Sequence, residues 1–374
     1  MRIVQIVPRL PPVIDGVGDY AYRLAQQMRQ DFDIQTHFIV GDPNWIGPSD
    51  LGGFSVSRLS RRSASDLRLV LKHQPSAIIF LHYVSYGYAK RGCPNWLVNA
   101  LNQWHASNSN ARLVTMFHEV YASGSPWTSS FWLLPLQKKL IFRLTQLSNA
   151  CFTNRQEYAQ RLQRLNSKKT FQAAVLPVFS NIGELTQASP LAERSKRLVI
   201  FGSRNARLWA YEQCLSTLNQ ICADLDIQEI CDIGVPTGLS FSNQIDVPVI
   251  EKGICSAQEV SAILANSIAS FSNFPPPSFF AKSTVFAAYC AHKLIPITAF
   301  PDAPITDGLQ SGTHYWSMHQ PTKKLSLTVA QTIADQAYDW YQNHTLSKQA
   351  VVFAYHFHIP SIALEKKNEL LSNL

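Results

Sequence analysis

Charge is what this chain has least of. Only 16% of its 374 residues are charged, against 46% hydrophobic, which excludes a disordered chain and leaves ample apolar material for buried sheets. It has no long basic or acidic run, since Arg61-Arg62 and Lys168-Lys169 are only pairs. The formal charge of +8 therefore reads as a generally basic surface, or as attraction to anionic lipids or diphosphates. No C-x-x-C pair occurs among the seven scattered cysteines, and several, such as Cys151, sit in apolar runs. Buried free thiols in a reducing cytosol follow, rather than disulfides or metal ligands. No apolar stretch reaches the length of a membrane span, and Met1-Arg2-Ile3-Val4 opens as a strand without a signal-peptide layout. The expectation is a cytoplasmic protein that meets a membrane only peripherally, at its inner face. Internal repeats and low-complexity segments are absent as well.

What is present is alternation. The length fits two domains of roughly 150 to 200 residues each. Strand patterns at Ile3–Val7, Thr36–Val40, Ala77–Leu81, Arg112–Phe117, Ala150–Thr153 and Ala173–Pro177 take turns with helical patterns at Tyr20–Gln30, Ser65–Lys72, Pro94–His105, Ser130–Leu147 and Arg155–Leu165. Such a series argues for a parallel sheet covered by helices on both faces. The rhythm breaks around Asn181–Lys196, where Ser189-Pro190 and several charges read as a linker. A second series follows, with strands at Arg197–Phe201, Glu229–Ile233, Val247–Ile250, Ile268–Phe271 and Leu294–Ile297 and helices at Ala210–Asp224, Ser256–Ala265 and Ser283–His292. Pro275-Pro276-Pro277 marks a rigid loop. The predicted class is α/β, with two tandem doubly wound, Rossmann-like domains facing a central cleft. Their bounds are 1–182, a linker at 183–196, 197–345, and a helical tail at 346–374 packing back towards the first domain.

In open α/β sheets, loops at the carboxyl ends of the strands converge on one crevice. Two segments of the first domain meet that condition. The loop Asp15-Gly16-Val17-Gly18-Asp19 precedes a helix, and the strand Leu113-Val114-Thr115-Met116-Phe117 ends in His118, followed by Glu119. Gly16 to Ala21 formally matches G-x-G-x-x-A, but Pro8 to Asp15 separate it from the strand, which speaks against a dinucleotide fingerprint. Glycines without Cβ let Gly16, Val17 and Gly18 bring backbone N–H groups close to a phosphate or sugar, or else serve only a turn. His118 reads as a site residue or as an ordinary hydrogen-bonded histidine at a strand end. In the second domain Gly202-Ser203-Arg204-Asn205-Ala206-Arg207 follows the first strand directly. Its two arginines suit a diphosphate, since a guanidinium donates paired hydrogen bonds, or they open a solvated helix. Lys282, Ser283 and Thr284 begin another helix, with Ser283 as the cap, and form a second anion-binding candidate. The aromatic loop Tyr83-Val84-Ser85-Tyr86-Gly87-Tyr88 reads equally as a sugar platform or as packing. Pro126-Trp127 and Phe131-Trp132 read as core packing of the helix they precede, with an acceptor-side lip or a membrane-facing patch as the alternatives.

Taken in order, the glycine loop at Gly16 and Gly18, the strand-end His118 and the basic turn at Gly202 and Arg204 resemble the nucleotide-sugar-dependent glycosyltransferases of GT-B fold, in particular the retaining family 4. The stretch Phe286 to Ile297 looks like a loose version of that family's E-A-M-A-x-G-x-P-V segment. The resemblance implies a metal-independent hexosyltransferase of polysaccharide biosynthesis. It would move a sugar from a nucleoside-diphosphate sugar to a glycan, lipid-linked or small-molecule hydroxyl, with retention. His118 would bond the transferred sugar, Asp19 and Glu119 would touch the acceptor, and the donor would be its only cofactor-like ligand. An anionic membrane is a further partner, and nucleic acid is not. The chain departs from the family where two glutamates flank the last helix: the corresponding positions are near Phe280 and Ala288, and no acid occurs between Glu259 and Asp302. That departure keeps a degenerate, non-catalytic sugar-nucleotide or partner-binding protein as the alternative. A nicotinamide-dependent oxidoreductase is a more distant one.

Overall fold

The computed structural model describes residues 1–74, 76–108, 110–122, 124–166, 171–239, 245–273, 276–319 and 324–357. Lys168-Lys169, Pro275 and the tail beyond Phe357 lie outside them. The chain divides into two compact units: Met1–Pro177 together with the described residues from Leu346 onward, and Val178–Thr345.

The first unit opens with β1 (Arg2–Val7), α1 (Gly16–Phe32), β2 (Gln35–Val40), β3 (Asp50–Leu51), β4 (Phe54–Arg58), α2 (Ala64–Lys72) and β5 (Ile78–Tyr83). It continues with α3 (Ser85–Tyr88), α4 (Asn95–Ala106), β6 (Arg112–Phe117), α5 (Ser129–Leu147), β7 (Ala150–Thr153), α6 (Gln156–Leu165) and β8 (Ala174–Val175). The sheet order is β3-β4-β2-β1-β5-β6-β7-β8, parallel except for β3. Chain order reverses between β1 and β5, so this unit has its topological switch point there. Strands buried on both faces are mostly apolar, which is why β1, β5 and β6 read as largely hydrophobic runs.

Helix α1 starts earlier than its apolar period. Asp15 caps it, accepting hydrogen bonds from the N–H groups of Val17 and Gly18, so the glycines predicted as loop form the first helical turn. Its buried face carries Tyr20, Leu24 and Met28 at helical spacing.

The second unit holds β9 (Ser195–Phe201), α7 (Arg204–Gln213), α8 (Leu215–Asp224), β10 (Glu229–Ile233), β11 (Val249–Gly253), α9 (Ala257–Ala265) and β12 (Ser267–Phe271). After a 3₁₀ turn at Pro277–Lys282 come α10 (Thr284–Ala291), β13 (Ile295–Thr298), β14 (Trp316–Ser317) and α11 (Leu327–Gln342). Its parallel sheet runs β11-β10-β9-β12-β13-β14, with the switch point between β9 and β12. The single helix predicted over Ala210–Asp224 is two helices: Cys214 leaves helical geometry and ends α7 where α8 begins. The segment predicted as a linker is tied down along its second half. Leu191 is buried, its N–H donates to Gln331 at 2.7 Å, and the Arg194 guanidinium donates to the carbonyls of Ser189, Ser267 and His292.

The last described helix, α12 (Leu346–His356), belongs to the first unit. Phe353 is fully buried with its ring 4.6 Å from that of Phe80 and 4.9 Å from that of Phe152, and the Gln349 amide donates to the Pro177 carbonyl.

Candidate functional site

A polar chain crosses the carboxyl side of the first sheet where apolar contact would be the default. Gln5 on β1, His82 on β5 and His118, just after β6, come from three neighbouring strands. Gln5 Oε1 lies 2.8 Å from His82 Nε2, and His82 Nδ1 lies 3.1 Å from His118 Nε2. All three are buried. With the Gln5 carbonyl facing His82, the His82 proton sits on Nε2 and its Nδ1 accepts from His118 Nε2–H. His118 thereby keeps Nδ1 as an acceptor. Burial holds His118 far below its ordinary value, at about 3, and lowers His82 as well, with the facing imidazole adding to the effect on His82. Both rings are neutral at physiological pH.

Two further contacts fix the His118 ring. The Tyr20 ring meets it edge-on at 5.0 Å, and the Tyr20 hydroxyl is itself held by Gln349 Oε1 at 2.5 Å. Asn154, at the end of β7, donates from Nδ2 to the His118 carbonyl at 3.2 Å. Glu119 is half-buried in the loop that follows. Asp19, one residue before Tyr20 on the first turn of α1, has its carboxyl raised to about 6 by burial and by the neighbouring Asp15.

The start of α1 is already occupied by a carboxylate. Asp15 Oδ1 takes the N–H groups of Val17 and Gly18 at 3.1 and 3.0 Å, while Arg9 pairs with its other oxygen at 3.1 Å. Gly18 is required by close approach, since a Cβ there would lie 2.3 Å from the Arg9 carbonyl oxygen. Gly16 faces open space. In the aromatic loop, Tyr83 and Tyr88 are fully buried and the Tyr88 hydroxyl donates to the carbonyls of Ile6 and His82, so only Tyr86 is left at the surface. Trp127 and Trp132 overturn the expectation of core packing: they are 86% and 72% exposed.

In the second unit the carboxyl ends of β9 and β10 are laced together by the two predicted arginines. Both sit on the first turn of α7, which Ser203 caps. Arg207 is buried, pairs with Asp232, and donates to the carbonyls of Gly202 and Val235. Tyr211 completes the cluster by donating to Asp232 Oδ2 at 2.8 Å. Burial pushes the Asp232 carboxyl up against the opposing pull of Tyr211 and Arg207. Gly234 allows this approach: at φ 145° it has no Cβ, which would stand 2.6 Å from the Gly202 oxygen and 2.8 Å from the Arg207 guanidinium. Arg204 donates to the carbonyls of Pro236 and Thr237 at 3.2 and 2.6 Å. Both guanidiniums thus hold the loop after β10.

The other anion-binding candidate stands at the start of α10. Ser283 caps that helix through the Phe286 N–H, Thr284 forms its first turn, and the Lys282 ammonium lies 4.9 Å from the centre of the Phe279 ring. The positions where two acids would be expected are core. Phe280 stacks on Phe286 at 4.3 Å, and Ala288 is fully buried. No group of three metal-ligating side chains is assembled among the described residues.

Sequence reasoning missed His82, Gln5 and Asn154. A strand-end histidine one strand over from His118, and a lone amide inside the apolar run of β1, were the available signals.

No family model and no curated protein matches the sequence. Solved structures do match over nearly the whole chain. An alpha-glucosyltransferase (AGT) in complex with UDP is 9% identical, with 96% of this chain and 99% of that one covered at a TM-score of 0.56. A glycosyltransferase from Rickettsia africae ESF-5 is 11% identical, covering 96% and 98% at 0.56. The chain has the GT-B fold. The lipopolysaccharide outer core galactosyltransferase WaaB, in its apo form, shares it at 10% identity, with 96% and 100% covered and a TM-score of 0.54. At such identities the likeness is one of architecture, and residue roles rest on the geometry above.

Proposed function

We propose that this GT-B protein is a glycosyltransferase, moving a hexose from a nucleoside-diphosphate sugar to an acceptor hydroxyl with retained configuration and without a metal. The observation that carries the reading is His118: a neutral, rigidly held imidazole at the carboxyl edge of the sheet, where such folds place their chemistry. A neutral ring hydrogen-bonds an uncharged sugar hydroxyl without the cost of burying a cation. The alpha-glucosyltransferase with the same fold was solved in complex with UDP, which makes UDP the first nucleotide to try.

In this mechanism the bond from the anomeric carbon to the diphosphate breaks while the acceptor oxygen bonds to that carbon on the same face and gives its proton to the departing diphosphate oxygen. Negative charge builds on the departing diphosphate. Lys282, the Ser283 hydroxyl and the first-turn N–H of α10 at Thr284 meet that charge in the transition state. Arg204 joins them only by exchanging its carbonyl contacts for phosphate, whereas Arg207 shapes the loop through Asp232. Gly202 and Gly16, which faces open space, let backbone approach a ligand, whereas the N–H groups of Val17 and Gly18 are held by Asp15. His118 orients the transferred sugar through its ring Nδ1. Asp19, with its raised carboxyl, and Glu119 serve the acceptor hydroxyl. A glycan or lipid-linked hydroxyl is the proposed acceptor class.

A thermal-shift screen with UDP, GDP, ADP and their sugars tests donor binding, because a ligand held only by the folded state raises the melting temperature. In a transfer assay with the donor so found, His118→Ala is expected to lower turnover roughly a hundredfold with the fold intact; unchanged kinetics would remove His118 from the site. A second reading, binding without turnover, draws on the apolar filling at Phe280 and Ala288. Donor binding with no transfer to any glycan or lipid acceptor would establish it.

A further inference from the structure

Helix α5 buries one face and leaves an unusual one outside. Gln137, Leu140, Ile141 and Leu144 turn inward, where the helix packs on α4, α6 and β6. The outward face carries Phe131, Trp132, Pro135, Lys139 and Phe142, and Trp127 stands fully in solvent just before the helix. Five apolar side chains at one stretch of surface, four of them aromatic, need a reason, since lone exposed hydrophobes are ordinary but a clustered aromatic set is not. Phe131 and Trp132 already pack edge-on at 5.4 Å, so the set is ordered as a unit.

Its charge has one sign. From Leu67 to Gln156 the only acid is Glu119, against nine lysines and arginines. Lys138, Lys139 and Arg143 lie on α5 itself. The loop carrying Lys90 and Arg91 is fastened beside it, because Gln137 donates to the Arg91 carbonyl at 3.2 Å and to the Tyr86 hydroxyl. Tryptophans at the tip, basic side chains behind them and no carboxylate on α5 itself make the amphipathic pattern that seats a helix in the headgroup layer of an anionic bilayer. Leu133, Leu134 and Pro135 continue the apolar stretch from Trp132 up to Lys138, an arrangement with no use against a nucleic-acid backbone.

We propose that this face of α5, led by Trp127, Phe131 and Trp132, docks the protein on an anionic membrane surface. α5 is the helix that follows β6, so its first turn stands on the carboxyl side of the first sheet, and docking brings that edge to the lipid headgroups. Resting on the transferase reading for this last step, the acceptor is then a lipid-linked hydroxyl rather than a free sugar.

Sedimentation with vesicles of phosphatidylcholine, with and without phosphatidylglycerol, tests the docking without any donor. Binding is expected to the anionic vesicles, with release by high salt, and Trp127→Ala/Trp132→Ala is expected to weaken it about tenfold or more. Both rings are exposed, so the variant should keep the melting temperature and any nucleotide-induced shift of the parent chain. Brominated acyl chains should quench tryptophan emission in the parent more than in the variant. No binding to anionic vesicles, equal binding by the variant, or capture of a DNA duplex in place of vesicles would overturn the proposal. A protein that binds vesicles but shows no transfer would sink the enzymatic reading and leave the docking surface standing.

Discussion

His118 and His82 show how burial, rather than residue type, sets chemical character. Each imidazole binds protons more weakly in the folded state than in the unfolded chain, where the ordinary value is 6.5. Their stabilising contribution is therefore complete above that value and is lost as pH falls towards the folded ones, at about 1.4 kcal/mol per pH unit for each histidine. Urea denaturation from neutral to mildly acidic pH should show this slope, and His118→Gln should flatten it. Asp19 behaves in the opposite sense. Its folded value of about 6 lies above the ordinary 3.8, so it favours the fold when protonated and opposes it as pH rises through 6. Asp19→Asn is expected to stabilise the protein at neutral pH by on the order of 1–2 kcal/mol after allowance for solvent screening, with little effect near pH 4. A melting temperature that falls in the variant at neutral pH would contradict that assignment.

At the scale of elements, the loops after β9 and β10 owe their shape to one buried ion pair. Arg207 and Asp232 are each only 1% exposed, and removing one partner leaves the other charge stranded. Arg207→Met is expected to cost about 3–5 kcal/mol, visible as a lowered denaturation midpoint, and to weaken nucleotide binding through loop disorder rather than lost contact. Much of the element pattern was legible: the strands at Glu229–Ile233 and Ala150–Thr153 coincide with β10 and β7, because buried parallel strands are mostly apolar, and Asp232, the buried exception on β10, is paired with Arg207. The glycine turn and the basic turn were read as loops because apolar periodicity starts only where a helix buries a face. In both places a capping side chain, Asp15 or Ser203, starts the helix earlier, at Gly16 rather than Tyr20 and at Arg204 rather than Ala210, and hydrogen bonding rather than hydrophobicity sets the boundary.

For the whole molecule, the C-terminal helix α12 is a structural part of the first unit. Phe353 packs against Phe80 on β5 and Phe152 on β7, while Gln349 reaches the Tyr20 hydroxyl that borders His118. Phe353→Ala is expected to cost about 3–5 kcal/mol. Calorimetry should register it as a lowered melting temperature, and an unchanged one would mean that α12 contributes nothing to that core.

Alternation of apolar strands with amphipathic helices, two series long, determined the α/β class and the two doubly wound sheets without help from coordinates, since each element must bury a face and period reveals which. Sequence also singled out His118, because a polar residue ending an apolar strand lands at the carboxyl edge. Only the tertiary structure decided that His118 is neutral and backed by His82 and Gln5, that Arg207 serves Asp232, and that Trp127 and Trp132 face outward. Those facts depend on which groups distant strands bring within hydrogen-bond reach and which they shut off from water, and neither is written in local pattern.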